Sequence, residues 1–292
     1  MRFVKGHGTE NDFVLFPDLP EAAFTPELVR ALCDRRAGIG ADGALRVARD
    51  GAGWFMDYRN ADGSVAEMCG NGVRVFARYL VDAELAAPGS FQVGTRGGPK
   101  RVSVPAAGPV TVDMGPPELL PGAPTVLGIT AVPVSMGNPH VVVPLTGQAD
   151  LAGLDLTRPP EVSPPLPGGQ NVEFVVRRGP RHLALRVHER GVGETRSCGT
   201  GVCAAVVATV HGGHRDAGRG SGRPGTDGQQ EADGQPGAGG QWGAGGRGEP
   251  WTVDVPGGRL SVTWSDSVTL TGPAVLVASG EWLLDGQRLA VG

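Results

Sequence analysis

An internal repeat constrains the fold of this chain more than any other feature of its sequence. The segment MCGNG at 68–72 returns as SCGTG at 197–201, so a shift of 129 residues superimposes Cys69 on Cys198. A shift of 127 residues lays GTENDFVLF over SMGNPHVVV and superimposes Asn11 on Asn138. Each copy combines a strand, a glycine turn with one cysteine, and a helix. The repeat therefore predicts two homologous halves.

Local patterns predict a mixed α/β (α+β) fold. Alternating β-branched segments predict strands at 13–16, 102–104, 110–114, 141–143 and 260–264. Helices are predicted at 26–35, 72–85 and 201–210, and the third should be buried because it is apolar on nearly all sides. We expect an N-terminal half at 1–116 with Cys69 and a C-terminal half at 117–292 with Cys198. Whether the final strand packs back onto the N-terminal half is left open.

Residues 212–249 differ in composition from the rest of the chain. They are a mixture of Gly, Gln, Asp and Arg in which Trp242 is the one large apolar residue. Such a segment buries too little apolar surface to offset the entropy of ordering it, which predicts a disordered insertion. The HGGH sequence at its start has two histidines on a flexible segment, which is too weak a pattern to predict a metal site.

Composition excludes several classes of protein. A chain of 292 residues, 40% hydrophobic and 19% charged, can bury a substantial core. Its net charge of −4 and scattered arginines argue against a nucleic-acid surface, and no run approaches the roughly 18 apolar residues of a membrane span. We expect a cytoplasmic protein with a small-molecule partner. Cys33 and Cys203 are predicted to be free structural thiols, because the four cysteines lack zinc or disulfide spacing.

The two cysteine turns point to acid–base chemistry. A cysteine at the start of a helix faces unpaired backbone N–H groups, and flanking glycines let a ligand approach closely. The helix dipole stabilises a negative charge by about 0.3 to 2 kcal/mol, which lowers the pKa of a thiol from about 8.5 toward about 7. Two such thiols facing each other would act as one base and one acid. Inversion of a carbon stereocentre needs that combination.

Seven segments together resemble the diaminopimelate epimerase family: HGTENDF, NADGS, MCGNGVRVFARY, SMGNPH, NVEF, HERGVGETRSCGTG and VPGG. The resemblance covers nearly the whole chain except the glycine-rich segment. It implies two pseudo-symmetric halves, each a rolled, mostly antiparallel sheet around a central helix, with the active site in the cleft between them. It also implies a homodimer that needs no cofactor. The implied reaction inverts the α-carbon of LL-2,6-diaminopimelate to give the meso form, in lysine and peptidoglycan precursor synthesis.

The resemblance also assigns residues. Cys69 and Cys198 become the acid/base pair, with His140 and Glu189 beside them as further catalytic residues. The positions that match the family's substrate-binding residues are Asn11, Asn60, Gly70, Asn71, Asn138, Asn171, Glu189, Arg190, Gly199 and Thr200. Arg190 suits the distal carboxylate through a two-pronged contact. One departure is Gly43 in GIGADG, where the family often has Gln, so one substrate contact is in question.

Alternatives remain at this stage. The chain could be another amino-acid racemase or isomerase of the same superfamily, or a non-enzymatic binding protein whose two cysteines form a redox switch. Glu189 and Arg190 taken alone could be an exposed charge pair, His140 a structural histidine, and the asparagines turn formers. A phosphate-binding loop is disfavoured, because GIGADG and CGNG lack the Lys-Ser/Thr ending of a nucleotide loop.

Overall fold

The structure, a computed structural model, describes residues 1–51, 53–219 and 246–283, with the backbone alone at 213–219. The chain divides into two compact units. Unit 1 comprises Met1–Met114 and Leu270–Gly292, and unit 2 comprises Gly115–Thr269. Unit 1 is therefore built from two separate parts of the sequence, whereas unit 2 is continuous.

Strands dominate the described residues. The four α-helices are α1 Pro26–Cys33, α2 Gly70–Asp82, α3 Gln148–Ala152 and α4 Gly199–Arg219. The strands are β1 Arg2–Gly8, β2 Asn11–Phe16, β3 Gly43–Asp50, β4 Gly53–Asn60, β5 Gly89–Gly94, β6 Lys100–Val104, β7 Val110–Gly115, β8 Glu118–Leu119, β9 Thr125–Val126, β10 Ile129–Thr130, β11 Val132–Ser135, β12 Pro139–Leu145, β13 Val162–Ser163, β14 Asn171–Gly179, β15 His182–Glu189, β16 Gly193–Thr195, β17 Pro250–Val255, β18 Gly258–Trp264, β19 Val268–Gly272 and β20 Val275–Glu281.

In unit 1, strands surround the helix α2. Antiparallel pairing joins β1 to β2 and to β20, while β2 pairs in parallel with β3, which continues into the β3–β4 hairpin. The helix α2 contacts β1, β2, β3, β4, β6 and β20. It buries Val73, Phe76 and Leu80 completely, so this helix forms the centre of the unit's core.

Unit 2 repeats this plan around α4. Antiparallel pairing joins β11 to β12, β12 pairs in parallel with β14, and β14 pairs antiparallel with β15. The helix α4 contacts β11, β12, β14, β15 and β18. Val202, Val206 and Val210 on this helix are 1% exposed or less, which confirms the prediction of a buried helix.

The repeat extends to the strand register. In unit 1, Phe13 lies opposite Gly43, and Gly43 lies opposite Asn60. In unit 2, His140 lies opposite Asn171. The next pair along these strands is Val172 opposite His188, which places Glu189 beside Asn171. Equivalent strands β2, β3 and β4 correspond to β12, β14 and β15. The three strand ends next to each cysteine turn are thus duplicated as a set.

All five strands and three helices predicted from local patterns are confirmed, and the mixed α+β fold with them. Strands such as β1 and β3 escaped prediction because their glycines and charged residues mask the period-two pattern. For the segment 212–249 the structure differs from the predicted disordered insertion at both ends. The helix α4 runs on to Arg219, and the guanidinium of Arg247 stacks on Trp264 at 4.2 Å. The remainder, 220–245, lies outside the described residues.

No helix in the described parts of the chain has the length and apolar character to cross a membrane. The same residues contain no group of three or more His, Cys, Asp or Glu side chains placed to hold a metal ion.

Candidate active site

The first cysteine caps the N-terminus of α2. Cys69 is half-buried, has extended backbone angles, and its Sγ accepts a hydrogen bond from the N–H of Gly72 at 3.4 Å. The first N–H in the helical ladder belongs to Val73, which donates to the carbonyl of Cys69 at 2.8 Å. The N–H groups of Gly70 and Asn71 precede that ladder, so helix geometry directs them out of the N-terminus toward a ligand.

Asn11 lies beside this thiol. Its Oδ1 is 3.6 Å from Cys69 Sγ and accepts a hydrogen bond from Nδ2 of Asn71 at 3.1 Å. Its own Nδ2 donates to Oδ2 of Asp42 at 2.8 Å. Because the carboxylate can only accept, Asp42 fixes which end of the Asn11 amide faces the cysteine. The structure thus brings three of the predicted residues, Asn11, Cys69 and Asn71, into one hydrogen-bonded group.

A buried cation underlies the same turn. The guanidinium of Arg74 is fully buried and donates to Oδ1 of Asn71 at 2.9 Å and to the carbonyl of Gly70 at 3.3 Å. It also reaches the carbonyl of Pro273 at 3.3 Å. These bonds tie the first turn of α2 to residues far away in the sequence. Sequence reasoning missed this role of Arg74.

The position where the family often has Gln has no room for a side chain here. A Cβ on Gly43 would lie 2.6 Å from the ring of Tyr58 and 2.7 Å from the carbonyl oxygen of Arg59. The hydroxyl of Tyr58 donates to Oδ1 of Asn60 at 2.8 Å, and Nδ2 of Asn60 donates to Ser64 Oγ at 3.0 Å. Tyr58 therefore fills the space and orients the amide of Asn60, which is a predicted substrate-binding residue.

The second cysteine lies at the start of α4 with the same backbone arrangement. The N–H of Val202 donates to the carbonyl of Cys198 at 3.0 Å, and the thiol is 3.4 Å from Oγ1 of Thr200. Cys198 is 6% exposed. Burial raises its pKa well above the usual range, and the charges of Glu189 and Glu173 raise it further. Hydrogen bonds from Thr200 and from the N–H of Gly201 act in the opposite direction.

Glu189 interacts with this thiol from the end of β15. Burial raises the pKa of its carboxyl group, while hydrogen bonds with Thr195 and Cys198 oppose the rise. The nearby charge of Glu173 adds to the increase, and His140 counteracts it. Glu189 is thus coupled to both a thiol and an imidazole, an arrangement in which a proton can be held near the cysteine.

His140 connects two further residues in the core of unit 2. Its Nδ1 is 2.7 Å from Oε1 of Glu173, and both side chains are fully buried. Its Nε2 is 3.0 Å from Oδ1 of Asn138, the predicted substrate-binding residue of the GNPH segment. Glu173 did not appear among the predicted site residues. Its signal was visible in NVEFVV, the buried first part of β14, where it is the one charged residue.

Two more predicted residues meet at the edge of this group. The Oδ1 of Asn171 accepts a hydrogen bond from the backbone N–H of Arg190 at 2.9 Å. The guanidinium of Arg190 is exposed and donates to the carbonyl of Gly168 at 2.6 Å. Its proposed contact with a substrate carboxylate stays a prediction. Asn11 and Asn71 thus lie beside Cys69, Glu189 interacts with Cys198, and Gly199 and Thr200 form the turn at Cys198.

Comparison with known proteins decides the family. The family described as diaminopimelate epimerase matches residues 3–120 and 132–219. The chain belongs to the diaminopimelate epimerase family. It is 50% identical to the diaminopimelate epimerase of Streptomyces coelicolor, across 96% of this chain and 94% of that protein. The enzyme of the same description from Thermobifida fusca is 43% identical, across 99% of this chain and all of that protein.

Solved structures share the fold at low sequence identity. A probable proline racemase from Agrobacterium radiobacter has a TM-score of 0.65 at 16% identity, covering 97% of this chain and 93% of its own. A hydroxyproline epimerase from Agrobacterium vitis has a TM-score of 0.61 at 15% identity, covering 96% and 91%. These likenesses show the fold alone. Membership of the diaminopimelate epimerase family makes the chain an isomerase of the epimerase class, which disfavours a non-enzymatic binding protein.

Proposed function

We propose that this protein inverts the α-carbon of LL-2,6-diaminopimelate to give meso-diaminopimelate, by proton exchange with Cys69 and Cys198. The observation that carries the proposal is the duplicated cysteine turn within a chain of this family. Relatives 42–50% identical are named for this reaction. The pathway context would be the supply of a diamino acid for lysine and for peptidoglycan precursors.

The proposed chemistry balances with two thiols and no other reactant. One cysteine, as thiolate, removes the α-proton and becomes a thiol, leaving a carbanion next to the substrate carboxylate. The other cysteine, as thiol, donates its proton to the opposite face of that carbon and becomes a thiolate. The proposal requires Cys69 and Cys198 to reach one carbon from opposite faces. The N–H groups of Gly70, Asn71, Gly199 and Thr200 would stabilise charge that develops on the carboxylate.

The other predicted residues take binding roles in this proposal. Asn11 and Asn60, with amides oriented by Asp42 and Tyr58, would hydrogen-bond the substrate on the side of Cys69. Asn138, Asn171 and Arg190 would bind it on the side of Cys198, with Arg190 taking the distal carboxylate. Diaminopimelate has a second carboxylate at its distal amino-acid end, and proline has none. This requirement separates the proposal from the alternative of another racemase in the same superfamily.

Exchange in deuterium oxide tests the reaction directly. The reduced protein is incubated with LL-diaminopimelate, and deuterium at the α-carbon and formation of the meso isomer are followed by NMR and chiral chromatography. We expect both, with no added cofactor. Parallel samples contain L-proline or trans-4-hydroxy-L-proline and should show no exchange. Exchange with proline but not with diaminopimelate would replace the proposal with the racemase alternative. The implied homodimer is tested separately, by measuring the molecular mass of the protein with light scattering as it elutes from a size-exclusion column.

A further inference from the structure

Glu173 is a buried acid whose hydrogen bonding is incomplete. Its side chain is fully buried in β14, and Oε1 pairs with Nδ1 of His140 at 2.7 Å. Oε2 has no hydrogen-bond partner among the described residues. Burying a carboxylate with an unpaired oxygen costs free energy, and an apolar residue would suit this strand position better for packing alone. The position therefore calls for an explanation beyond the core.

The carboxylate of Glu173 reaches the site through His140. An ionised carboxylate only accepts hydrogen bonds, so Nδ1 of the ring carries a proton and donates it to Oε1. This fixes the ring orientation and directs Nε2 at Oδ1 of Asn138, 3.0 Å away; because an amide oxygen only accepts, Nε2 is the donor in that hydrogen bond. Asn138 is one of the residues that would bind substrate. Glu173 is connected to Asn138 through His140.

The same carboxylate packs against the cysteine turn. A Cβ on Gly201 would lie 2.5 Å from Oε1 of Glu173 and 3.1 Å from its Cδ, so only glycine permits this approach. The N–H of Gly201 hydrogen-bonds Cys198. One glycine thus serves both partners: its N–H binds the thiol, and its missing side chain admits the carboxylate. A negative charge is held beside the first turn of α4.

We propose that Glu173 is a positioning residue of the Cys198 group, which holds His140 with its Nδ1 proton and places a negative charge beside the Cys198 turn. It acts through His140 and through its charge without touching substrate. The proposal deepens the function proposed above and rests on it for its catalytic meaning.

The charges around Cys198 support this assignment. Glu173 in β14 and Glu189 in β15 act on the thiol, and Thr200 and Gly201 on α4 donate hydrogen bonds to it. His140 in β12 pairs with Glu173 and its charge acts on Glu189. Both carboxylates raise the pKa of Cys198. Removal of the charge at Glu173 should therefore lower that pKa and make the thiolate easier to form. A purely structural role predicts no such effect.

The first test measures thiol reactivity in the absence of substrate. Wild type and Glu173→Gln are treated with iodoacetamide across a range of pH, and modification of each cysteine is quantified by mass spectrometry. We expect Cys198 of E173Q to react about tenfold faster at pH 8, which corresponds to about one pKa unit. Cys69 is the internal control and should react at the wild-type rate. Equal rates at Cys198, or a parallel increase at both cysteines, would overturn the proposal.

Glu173→Asp separates charge from packing. It keeps the negative charge but shortens the side chain, so alkylation of Cys198 should stay within about twofold of wild type while kcat falls. In a double-mutant cycle, Glu173→Gln should change kcat much less in the His140→Ala background than in the wild type, since both residues act together. If Cys198 in E173D becomes as reactive as in E173Q, lost packing explains both results and the proposal fails.

A measurement on the wild type covers the case in which E173Q does not fold. Nitrogen-15 spectra of histidine-labelled protein at pH 8 should show a proton on Nδ1 of His140, and an unprotonated Nδ1 would refute the proposal. Neither the spectra nor alkylation uses diaminopimelate. Absence of α-proton exchange in the wild type would therefore refute the proposed function alone, and an unresponsive Cys198 would refute the role of Glu173 alone.

Discussion

Both cysteine turns use the same backbone hydrogen bonds, yet the buried charges beside them have opposite signs. In unit 1 the guanidinium of Arg74 lies under the turn of Cys69. The residue 129 positions later is Cys203, and the buried ionised group near Cys198 is the carboxylate of Glu173. The strand ends carry Phe13, Gly43 and Asn60 in one unit and His140, Asn171 and Glu189 in the other.

This comparison indicates what duplication preserved and what it changed. Helix-start geometry stayed constant, because both thiols need backbone N–H groups close to them. The side chains diverged, so one thiol is surrounded by amides and a cation and the other by two carboxylates and an imidazole. Two identical thiols would compete equally for one proton. Unequal surroundings let a pair begin each turnover as one base and one acid.

Replacement of either thiol should give the largest effect. Cys69→Ser and Cys198→Ser should each reduce epimerisation by about three orders of magnitude or more, because an alcohol is a much poorer base than a thiolate. Turnover is measured by formation of the meso isomer. Cys33→Ser is the matched control, since that thiol is buried in α1 and burial raises its pKa to about 11. Near-normal turnover in either site variant would disprove the two-thiol mechanism.

Removal of the buried cation should affect stability in unit 1. Arg74→Met removes the guanidinium that donates to the carbonyls of Gly70 and Pro273 and to Oδ1 of Asn71, so the free energy of unfolding should fall by about 3 kcal/mol. The equivalent change in unit 2, Cys203→Ala, deletes one sulfur atom and should cost about 1 kcal/mol. Urea unfolding at pH 7 measures both. Similar decreases in the free energy of unfolding in the two variants would show that the charge difference between the turns does not contribute to stability.

The two groups should respond to pH in opposite directions. Burial alone would raise the pKa of Asp12 in unit 1, but hydrogen bonds from Arg35 and Lys5 lower it to about 2. Its stabilising contribution is therefore present above the ordinary carboxyl pKa and lost as pH falls toward 2. Asp12→Asn should lower the free energy of unfolding by about 2 kcal/mol at pH 7, with a smaller difference near pH 3.

For Glu189 in unit 2 the sign reverses. Its raised pKa means that its contribution is present below the ordinary carboxyl pKa and is lost as pH rises through the folded-state value. The stability of Glu189→Gln relative to wild type should increase as the pH is raised from 4 to 8, and urea unfolding midpoints at both pH values measure this. A gain in relative stability toward low pH would contradict the assigned direction.

The smallest expected effect concerns Tyr58. Tyr58→Phe keeps the ring beside Gly43 and removes the hydrogen bond to Asn60, which should cost about 1 kcal/mol. If Asn60 binds substrate, KM for diaminopimelate should rise about fivefold with little change in kcat. Ser64→Ala provides a comparison at the other end of the same amide. An unchanged KM in both variants would remove Asn60 from the binding residues.

The sequence predicted elements whose pattern is local. The helix starts at Cys69 and Cys198 were recognisable because glycine, cysteine and an apolar run mark them together. Contacts such as Asn11 with Asp42, or His140 with Glu173, depend on parallel pairing between strands that are distant in sequence, and no local pattern encodes that register. Tyr58 was missed for another reason: its role follows from the absence of a side chain at Gly43, which becomes meaningful only once the ring is placed.

Unit 1 is discontinuous, and this has a consequence for synthesis on the ribosome. The strand β20 pairs with β1, and the amino group of Met1 donates to the carbonyl of Trp282 at 3.0 Å. Unit 2 is encoded entirely between these partners. Because translation is vectorial, β1 can pair with β2 at once but must wait for about 270 codons before β20 emerges, whereas unit 2 can fold as soon as it leaves the exit tunnel. During that interval the edge of β1 that β20 later covers is open to pairing with another chain.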